Sequence, residues 1–229
     1  MKSYIKNQKK QCDFLKNAVN LLYSDNMTAE EMQELFKKRY NHIDIDVAGK
    51  MPKEQVQLLL REYDLLLQEF PVGSKLMEIK VGKILIKENE PYGLYSPKIS
   101  KIIFNTSFVN KDIVNLMNDV YNAAHISTNK ENHVYIHEFA HALDRAINKD
   151  GKTGRQLLLE AMPNTDTNKT WEYYAGKLSK YAMTIPENTK TQMYGGEFFA
   201  EAFAAYYNNM IPKMTELQWI VDFFDNLSL

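Results

Sequence analysis

The sequence has almost no cysteine, no excess of either charge and no long hydrophobic run. Cys12 is the only cysteine among the 229 residues, so no disulfide can form within the chain. The 28 basic residues are balanced by 29 acidic ones, whereas domains that bind nucleic acid usually carry a basic surface, so no nucleic-acid partner is expected. Residues 56–70 are the most apolar stretch, but charged side chains interrupt them, and a membrane span needs about 20 mostly apolar residues.

The N-terminal sequence and the length bear on location and domain organisation. The first residues, MKSYIKNQKK, contain no apolar run of the kind that a signal peptide needs, so none is predicted, and cytoplasmic, secreted or delivered locations all stay open. With 229 residues and 45% hydrophobic content, the chain can build one sizeable core. We predict one domain over residues 1–229, with a helical N-terminal lobe over residues 1–72 and a sheet with further helices over residues 73–229. The oligomeric state is not predicted.

Hydrophobic periodicity predicts helices in the first third of the chain and strands after it. Thr28 and Glu31 have the spacing of a capping box, and Pro52 suits the start of a helix. Alternating apolar and polar residues then predict three or four mostly antiparallel strands, so the fold class is α+β. The predicted helices cover residues 11–23, 28–40 and 52–70, and the predicted strands cover residues 76–80, 81–87, 92–95 and 101–104.

The most informative motif is HEFAH at His137–His141, which has the HExxH pattern of zinc hydrolases. Two histidines four residues apart lie one turn apart on the same helix face, so both imidazoles can reach one ion. Glu138 lies beside that face, where a general base belongs. A possible capping box of Thr128 and Glu131, followed by an apolar stripe, predicts a helix of about 18 residues here.

One further histidine, His133, precedes His137 by four residues. Along a helix it would lie about 12 Å from His141, because each residue adds about 1.5 Å. One ion with bonds of about 2 Å cannot bridge that distance. We therefore predict that His133 lies at the rim of the site or supports a ligand.

A catalytic zinc site usually has three protein ligands and one open position. The metzincin template would need a glycine and a histidine where this chain has Asp144 and Ile147, so it does not fit. Glu197 and Glu201 share one helix face between alanines and aromatic residues, where carboxylates are costly unless they are paired or bind a metal. We predict Glu197 as the third ligand and Glu201 as the acceptor for a ligand imidazole. Two solvated glutamates on an amphipathic helix are the alternative.

HEFAHALD at residues 137–144 followed by EFFAEAF at residues 197–203 resembles the catalytic domain of anthrax lethal factor and its relatives, which include the Pro-Pro endopeptidases. The resemblance covers about residues 92–209. It implies a zincin-like fold, with a small twisted sheet, an HExxH helix and a C-terminal helical subdomain. It also implies a zinc-dependent endopeptidase that cleaves a protein or peptide substrate.

The resemblance further implies roles for individual residues of this chain. Three residues would hold one catalytic Zn²⁺, one would act as general base and acid, and two would support the site. The metal ligands would be His137, His141 and Glu197, the base would be Glu138, and the supporting residues would be Glu201 and Asp144, the latter close to His141.

The chain departs from the family pattern at two positions. Ala140 stands where the family usually has glycine, and Lys190 stands where its catalytic tyrosine is expected. Tyr194, followed by Gly195, is the nearest match, and we predict that its phenol stabilises the oxyanion. Tyr181 is the alternative, and either tyrosine could instead belong to the core.

The resembled fold holds an extended substrate on an edge strand beside the metal helix, because strand addition supplies main-chain hydrogen bonds to any sequence. The candidate for this strand is Lys101–Asn105, and an ordinary sheet strand is the alternative. The substrate-binding residues would then be Lys101, Ile102, Ile103, Phe104 and Asn105.

Two other functions stay open at the level of sequence. The chain could be a binding or assembly module of the phage or mobile-element type, with a structural or vestigial metal. It could also be a metal-dependent hydrolase of a non-peptide amide. Glu138 argues against a structural site, which needs no base and usually has four protein ligands. The protein target and the cleavage specificity cannot be inferred.

Overall fold

The computed structural model describes residues 15, 17–70, 76–85, 90–163, 170–184, 195–211 and 215–227. Within these ranges, no helix is long and apolar enough to cross a bilayer. Residues 17–22 are helical. The helices that follow are α1 (Ala29–Arg39), α2 (Lys53–Glu69), α3 (Thr106–Val109), α4 (Ile113–Asn122), α5 (His133–Ala146), α6 (Gly154–Glu160), α7 (Trp171–Leu178), α8 (Gly196–Tyr207) and α9 (Gln218–Asp225), with a 3₁₀ turn at Tyr181–Met183. The strands are β1 (Asp44–Asp46), β2 (Glu78–Gly82), β3 (Gly93–Ser96) and β4 (Lys101–Asn105).

Helix α1 starts as the sequence predicts. The Thr28 hydroxyl accepts the Glu31 backbone N–H at 3.2 Å, and the Glu31 carboxylate accepts the Thr28 backbone N–H at 2.8 Å. The predicted capping box is confirmed. Pro52 is the N-cap of α2, where its fixed φ prepares the helical turn and its missing N–H leaves no donor unsatisfied.

A fully buried carboxylate joins the N-terminal helices. Asp64 on α2 is fully buried, and its carboxylate accepts hydrogen bonds from tyrosine, arginine and glutamine side chains. The donors are Tyr23 Oη at 3.0 Å, Arg39 Nη2 at 2.9 Å, Arg39 Nε at 2.8 Å, Tyr40 Oη at 2.6 Å and Gln68 Nε2 at 2.8 Å. We call these residues (Tyr23, Arg39, Tyr40, Asp64 and Gln68) the Asp64 cluster.

The sheet is mixed, with strand order β1-β2-β4-β3. Strands β1 and β2 are parallel, β2 and β4 are parallel, and only β3 and β4 are antiparallel. The prediction of a mostly antiparallel sheet is therefore wrong. Alternation within a strand reports which face is buried, but pairing direction depends on long connections that local pattern does not encode. Strand β1 also shows that the N-terminal region over residues 1–72 is not wholly helical.

Lys101–Asn105 forms the strand β4, as the alternation predicted, but it is not an edge strand. Its residues pair with β2 on one side and with β3 on the other. Both rows of main-chain groups are therefore used within the sheet, and the prediction that Lys101, Ile102, Ile103, Phe104 and Asn105 form an open edge is wrong. Among the described strands, β3 is at the end of the sheet next to α5, and no described strand pairs with its outer edge.

Helix α5 is buried on almost every side. It is 14 residues long and starts at His133, later than predicted, with Asn132 as the N-cap. The Thr128 hydroxyl accepts the Lys130 N–H instead of capping this helix, so the predicted Thr128–Glu131 capping box is wrong. Tyr63 of α2 packs edge-on against Phe139 with ring centroids 5.5 Å apart.

Helix α8 packs along α5 and completes the core around the motif residues. Gly195 precedes it with φ of +83°, a left-handed conformation that glycine adopts without strain. The side chains of Phe198, Phe199 and Phe203 on α8 are fully buried. One hydrophobic cluster runs from Val19 to Phe224, so the N-terminal helices and the motif helices share a core.

Candidate metal centre

Helix α5 brings the two motif histidines together. Because His137 and His141 are one turn apart, their rings lie side by side, with centroids 4.8 Å apart. The two Nε2 atoms are 3.1 Å apart. Both rings are mostly shielded from solvent, with 6% of the His137 side chain and 17% of the His141 side chain exposed. Two nitrogen atoms therefore converge on one point at the surface of α5.

Glu197 of α8 meets the same point. Its Oε2 atom is 3.1 Å from His137 Nε2 and 3.3 Å from His141 Nε2. Ligand atoms at the corners of a tetrahedron around Zn²⁺, with bonds of about 2.0–2.1 Å, would be about 3.3 Å apart. The three atoms therefore have the spacing, and the mixed N and O chemistry, of a zinc site with three protein ligands, and could hold a metal.

The start of α8 fixes the position of Glu197. Glu197 lies in the first turn of α8, where the helix dipole favours a carboxylate. Gly196 packs against Arg155, because a Cβ atom at Gly196 would be 2.9 Å from Arg155 Nη1. The Arg155 backbone N–H and Nε each donate to Asp144 at 2.6 Å. This chain of contacts ties the end of α5 to the start of α8.

Asp144 was predicted to orient the site next to His141. In the structure both of its carboxylate oxygens bind Arg155, and the carboxylate is fully buried there. Asp144 is therefore linked to the start of α8 through Arg155, which lies against Gly196. Spacing along α5 placed Asp144 near His141, but a buried carboxylate binds the strongest donor that the fold brings to it, which here comes from α6.

Glu201, one turn after Glu197, holds the other side of the His137 ring. Its Oε1 is 2.9 Å from His137 Nδ1. Because a carboxylate only accepts, Nδ1 carries a proton, and once the ring is neutral the Nε2 lone pair faces Glu197 and His141. The remaining partners of the carboxylate are His133 Nε2 at 3.1 Å, the Ser127 backbone N–H at 2.6 Å and Ser179 Oγ at 3.0 Å.

The charges of this cluster shift the pKa values of its members in opposite directions. Burial alone raises the pKa of Glu201, but His133 and His137 outweigh it and hold that pKa well below its usual range. The pKa of Glu197 is also lowered, because His141 and His137 outweigh burial. Burial lowers the pKa of His137, but hydrogen bonds to Glu197 and Glu201 and their charges raise it well above 6.5 in the metal-free chain.

His133, His137 and Glu201 form a second group whose atoms are close enough to hold a metal. The Glu201 oxygens already accept from four donors, and Glu201 is fully buried. The group is therefore a hydrogen-bonded support with no open position. The prediction that His133 lies at the rim of the site or supports a ligand stays a prediction.

Glu138 points from α5 towards the edge strand β3. Its side chain is 6% exposed, and its Oε2 atom has no hydrogen-bond partner. Burial raises the pKa of Glu138, against the lowering charges of His141 and His137. The backbone N–H of Tyr95 donates a hydrogen bond to it. A buried carboxyl group beside His137 and His141, with one oxygen unpaired, has the placement of a general base.

A cavity of about 500 Å³ opens beside His137 and Glu138. Tyr181 lines it, and the Tyr181 ring centroid is 5.5 Å from the His137 ring. Burial raises the pKa of Tyr181, and the charges of Glu197, Glu138 and Glu201 raise it further, so the phenol keeps its proton. Tyr194 lies outside the described residues. The cavity is lined by Glu90, Pro91, Tyr92, Gly93, Met117, His125, Ile126, His133, Val134, His137, Glu138 and Tyr181.

Sequence reasoning missed four residues that organise the site. Ser127, Ser179 and Arg155 lie in different segments, and no local pattern connects them to the motifs. Gly93 is different, because an isolated glycine inside a strand pattern indicates a close approach of another group. That group is Glu138.

Comparison with known proteins gives one family. The family model described as "Anthrax toxin lethal factor, N- and C-terminal domain" matches residues 4–215. Neither a curated protein nor a solved structure matches the chain.

Proposed function

The chain belongs to the anthrax toxin lethal factor family, and on that basis we propose that it is a zinc-dependent endopeptidase. The observation that carries the proposal is the triangle of His137 Nε2, His141 Nε2 and Glu197 Oε2, with sides of 3.1, 3.1 and 3.3 Å. Three ligands with an adjacent buried carboxyl group are typical of a catalytic zinc site, whereas a structural site usually has four ligands and needs no base.

Each residue of the site has a chemical task in this proposal. His137, His141 and Glu197 hold the zinc, which when bound lowers the pKa of water and polarises a carbonyl group. Glu138 accepts a proton from the attacking water and passes it to the leaving amine. Glu201 keeps the His137 Nδ1 atom protonated so that Nε2 can bind the metal.

We assign oxyanion stabilisation to Tyr181. Its ring lies between those of His137 and His125, at 5.5 Å from each, and its raised pKa keeps the hydroxyl available as a donor. Tyr181→Phe should lower kcat by about 100-fold and leave the zinc content unchanged. A variant with wild-type kcat would return the role to Tyr194, whose assignment stays a prediction.

The outer edge of β3 is the proposed binding site for an extended peptide. Asn105 N–H donates to Tyr92 C=O at 2.9 Å, so Tyr92 and Asn105 form a hydrogen-bonded pair. Pairs alternate along an antiparallel ladder, and the main-chain groups of Gly93 and Tyr95 therefore point away from β4. An added peptide strand would bind there through the N–H and C=O of Gly93 and the C=O of Tyr95, since the Tyr95 N–H donates to Glu138. The proposed enzyme is one domain over residues 1–229.

The test combines metal analysis with cleavage profiling. Wild-type protein should hold one zinc per chain and cleave members of a peptide library or a proteome, and a chelator should abolish the cleavage. Glu138→Ala should keep the zinc and lose activity by about 10²–10⁴-fold. The control is His42→Ala, which changes an exposed histidine away from the site.

Three outcomes would contradict the proposal in different ways. Wild-type cleavage by Glu138→Ala would remove Glu138 as the base. Zinc binding without cleavage of any peptide would favour a binding or assembly module. Hydrolysis confined to non-peptide amides would change the substrate class.

A further inference from the structure

The edge strand β3 and the Glu138 side chain occupy adjoining space, and a side chain at residue 93 would meet Glu138. A Cβ atom placed on Gly93 would be 2.6 Å from Glu138 Cγ, 2.8 Å from Oε1 and 2.9 Å from Cδ. Contacts under about 3 Å between such atoms are repulsive, since carbon atoms pack best at about 3.5–4.0 Å. The Glu138 side chain therefore lies where a side chain at residue 93 would start.

The Glu138 side chain would have to shift to make room for a Cβ atom at residue 93. It is buried on α5 between the rings of the core and β3, with 6% of its surface exposed. Tyr95, two residues along the same strand, donates its backbone N–H to Glu138. Gly93 and Tyr95 are the β3 residues whose main-chain groups face outward, so the strand offers the carboxyl group both a gap and a donor.

We propose that Gly93 is a positioning residue: together with the Tyr95 backbone N–H, it holds the Glu138 carboxyl group beside the ligand cluster. The proposal rests on the proposed role of Glu138 as the base. It assigns β3 a second task besides binding peptide. Any side chain at residue 93 would displace the carboxyl group from the position that proton transfer needs, and a displacement of about 1 Å can cost about 100-fold in rate.

The decisive experiment is a double-mutant cycle on thermal stability, measured on the full chain in the presence of a chelator. Gly93→Ala should lower the Tm by about 4–8 °C, because it overpacks a buried contact in a chain of this size. In the Glu138→Ala background the same change should lower the Tm by less than about 2 °C, because the atoms it would meet are gone. In the Glu138→Gln background, which keeps those atoms without the charge, the full cost should return.

Gly82→Ala is the matched control. It adds the same atom to another strand of the sheet, where the nearest contact, Ile103 Cγ2, would be at an ordinary 3.5 Å. Its Tm should change by less than about 2 °C in all backgrounds. Equal Tm losses for Gly93→Ala in the wild-type and Glu138→Ala backgrounds, including failure of both to fold, would overturn the proposal, as would no loss in either.

Activity gives an independent measure on the zinc-loaded protein. Gly93→Ala should lower kcat by about 100-fold with little change in KM or zinc content. An unchanged kcat would overturn the positioning role. Thermal coupling in a chain that cleaves no peptide would instead support the contact while refuting the proposed function, so the two failures can be told apart.

Discussion

The chain buries carboxylates in two clusters that differ in the hydrogen-bond donors around the carboxylate. In the Asp64 cluster every partner is a donor, and Arg39 carries a permanent positive charge. In the candidate metal cluster, His137 Nε2, His141 Nε2 and Glu197 Oε2 are 3.1–3.3 Å apart, and an imidazole nitrogen becomes an acceptor only when it has no proton. Protein donors satisfy both Asp64 oxygens, whereas the second cluster places three possible ligand atoms around one point.

The comparison separates carboxylates that stabilise a fold from those that can bind a ligand. Burial does not make the distinction, because Asp64 and Glu201 are both fully buried. Glu201, with four donors, belongs with Asp64, and so does Asp144, with Arg155. Glu197 differs because both of its described partners are ligand-type nitrogen atoms. The number of donors around a buried carboxylate therefore predicts its role better than its exposure does.

The largest expected effect comes from removing one possible metal ligand from the group of His137, His141 and Glu197. His141→Ala should weaken zinc binding by at least about 1,000-fold, more than the about 10–100-fold typical of losing a residue that only supports a ligand. Zinc content after dialysis against a competing chelator measures it. His42→Ala is the control. A fully occupied site in His141→Ala would show that His141 is not a ligand.

The next largest effect comes from removing Arg39, the cation of the Asp64 cluster. Arg39→Ala should lower the free energy of unfolding by about 2–4 kcal/mol, because it leaves Asp64 buried without a counter-charge. This loss is set below the about 3–5 kcal/mol usual for a fully buried pair because the Arg39 side chain is 34% exposed. Zinc content should not change. Urea unfolding measures the loss.

Lys50→Ala is the control for Arg39→Ala, because it breaks an exposed pair with Asp46 and should cost at most about 1 kcal/mol. Equal losses in the two variants would mean that the Asp64 cluster does not depend on its cation. A loss of zinc in Arg39→Ala would mean that the two clusters are coupled.

Glu201→Gln should have a smaller effect on the metal than the loss of a ligand. The amide keeps the shape of the side chain but loses the charge that holds the His137 Nδ1 proton, so the zinc affinity should fall by about 10–100-fold. Competition with a zinc-binding dye measures the affinity. Glu160→Gln, on an exposed residue, serves as the control. An affinity equal to wild type would show that Glu201 does not support His137.

The smallest effect is the pH dependence of zinc binding. Since hydrogen bonds to Glu197 and Glu201 raise the pKa of His137 in the metal-free chain, zinc binding should displace a proton wherever His137 is protonated. The affinity should fall as the pH falls, by about tenfold per unit below that pKa. Calorimetry in buffers of different ionisation enthalpy should record about one proton released. Binding without proton release would contradict the raised pKa.

The stability of the metal-free chain should also depend on pH. The His137 contribution to stability should fall as the pH rises, whereas the zinc affinity should increase. The raised pKa of His137 stabilises the folded chain fully below about pH 6.5, and this contribution is lost as the pH rises through the folded pKa. The lowered pKa values of Glu197 and Glu201 stabilise it above about pH 4.5 and their contribution is lost as the pH falls. Urea unfolding in the presence of a chelator, repeated across this pH range, measures both contributions to the free energy of unfolding.

The sequence predicted features that depend on local spacing. His137 and His141 converge because helical periodicity places them on one face, and the Thr28 capping box forms because its partners are three residues apart. The Glu197 helix was found from two carboxylates among apolar residues. Family membership followed from the same motifs and is supported by the match over residues 4–215.

Features that depend on distant segments were wrong or missed. Nothing in Asp44–Asp46 indicates parallel pairing with β2, and nothing in Lys101–Asn105 indicates that both of its edges are paired. Asp144 found its partner in α6, beyond the reach of helical spacing. Gly93 was the exception, since its isolated position in a strand could have indicated the close approach of Glu138.

The partners of Glu201 have a consequence for assembly. They come from the segment before α5, from α5 itself and from the residue that ends α7, so all three must reach α8 before the carboxylate is satisfied. Helices that form singly would offer zinc no more than two neighbouring imidazoles. Zinc binding during refolding should therefore be slower than helix formation and should occur at the rate of the last tertiary step. The time course of zinc binding would then report when the fold is complete.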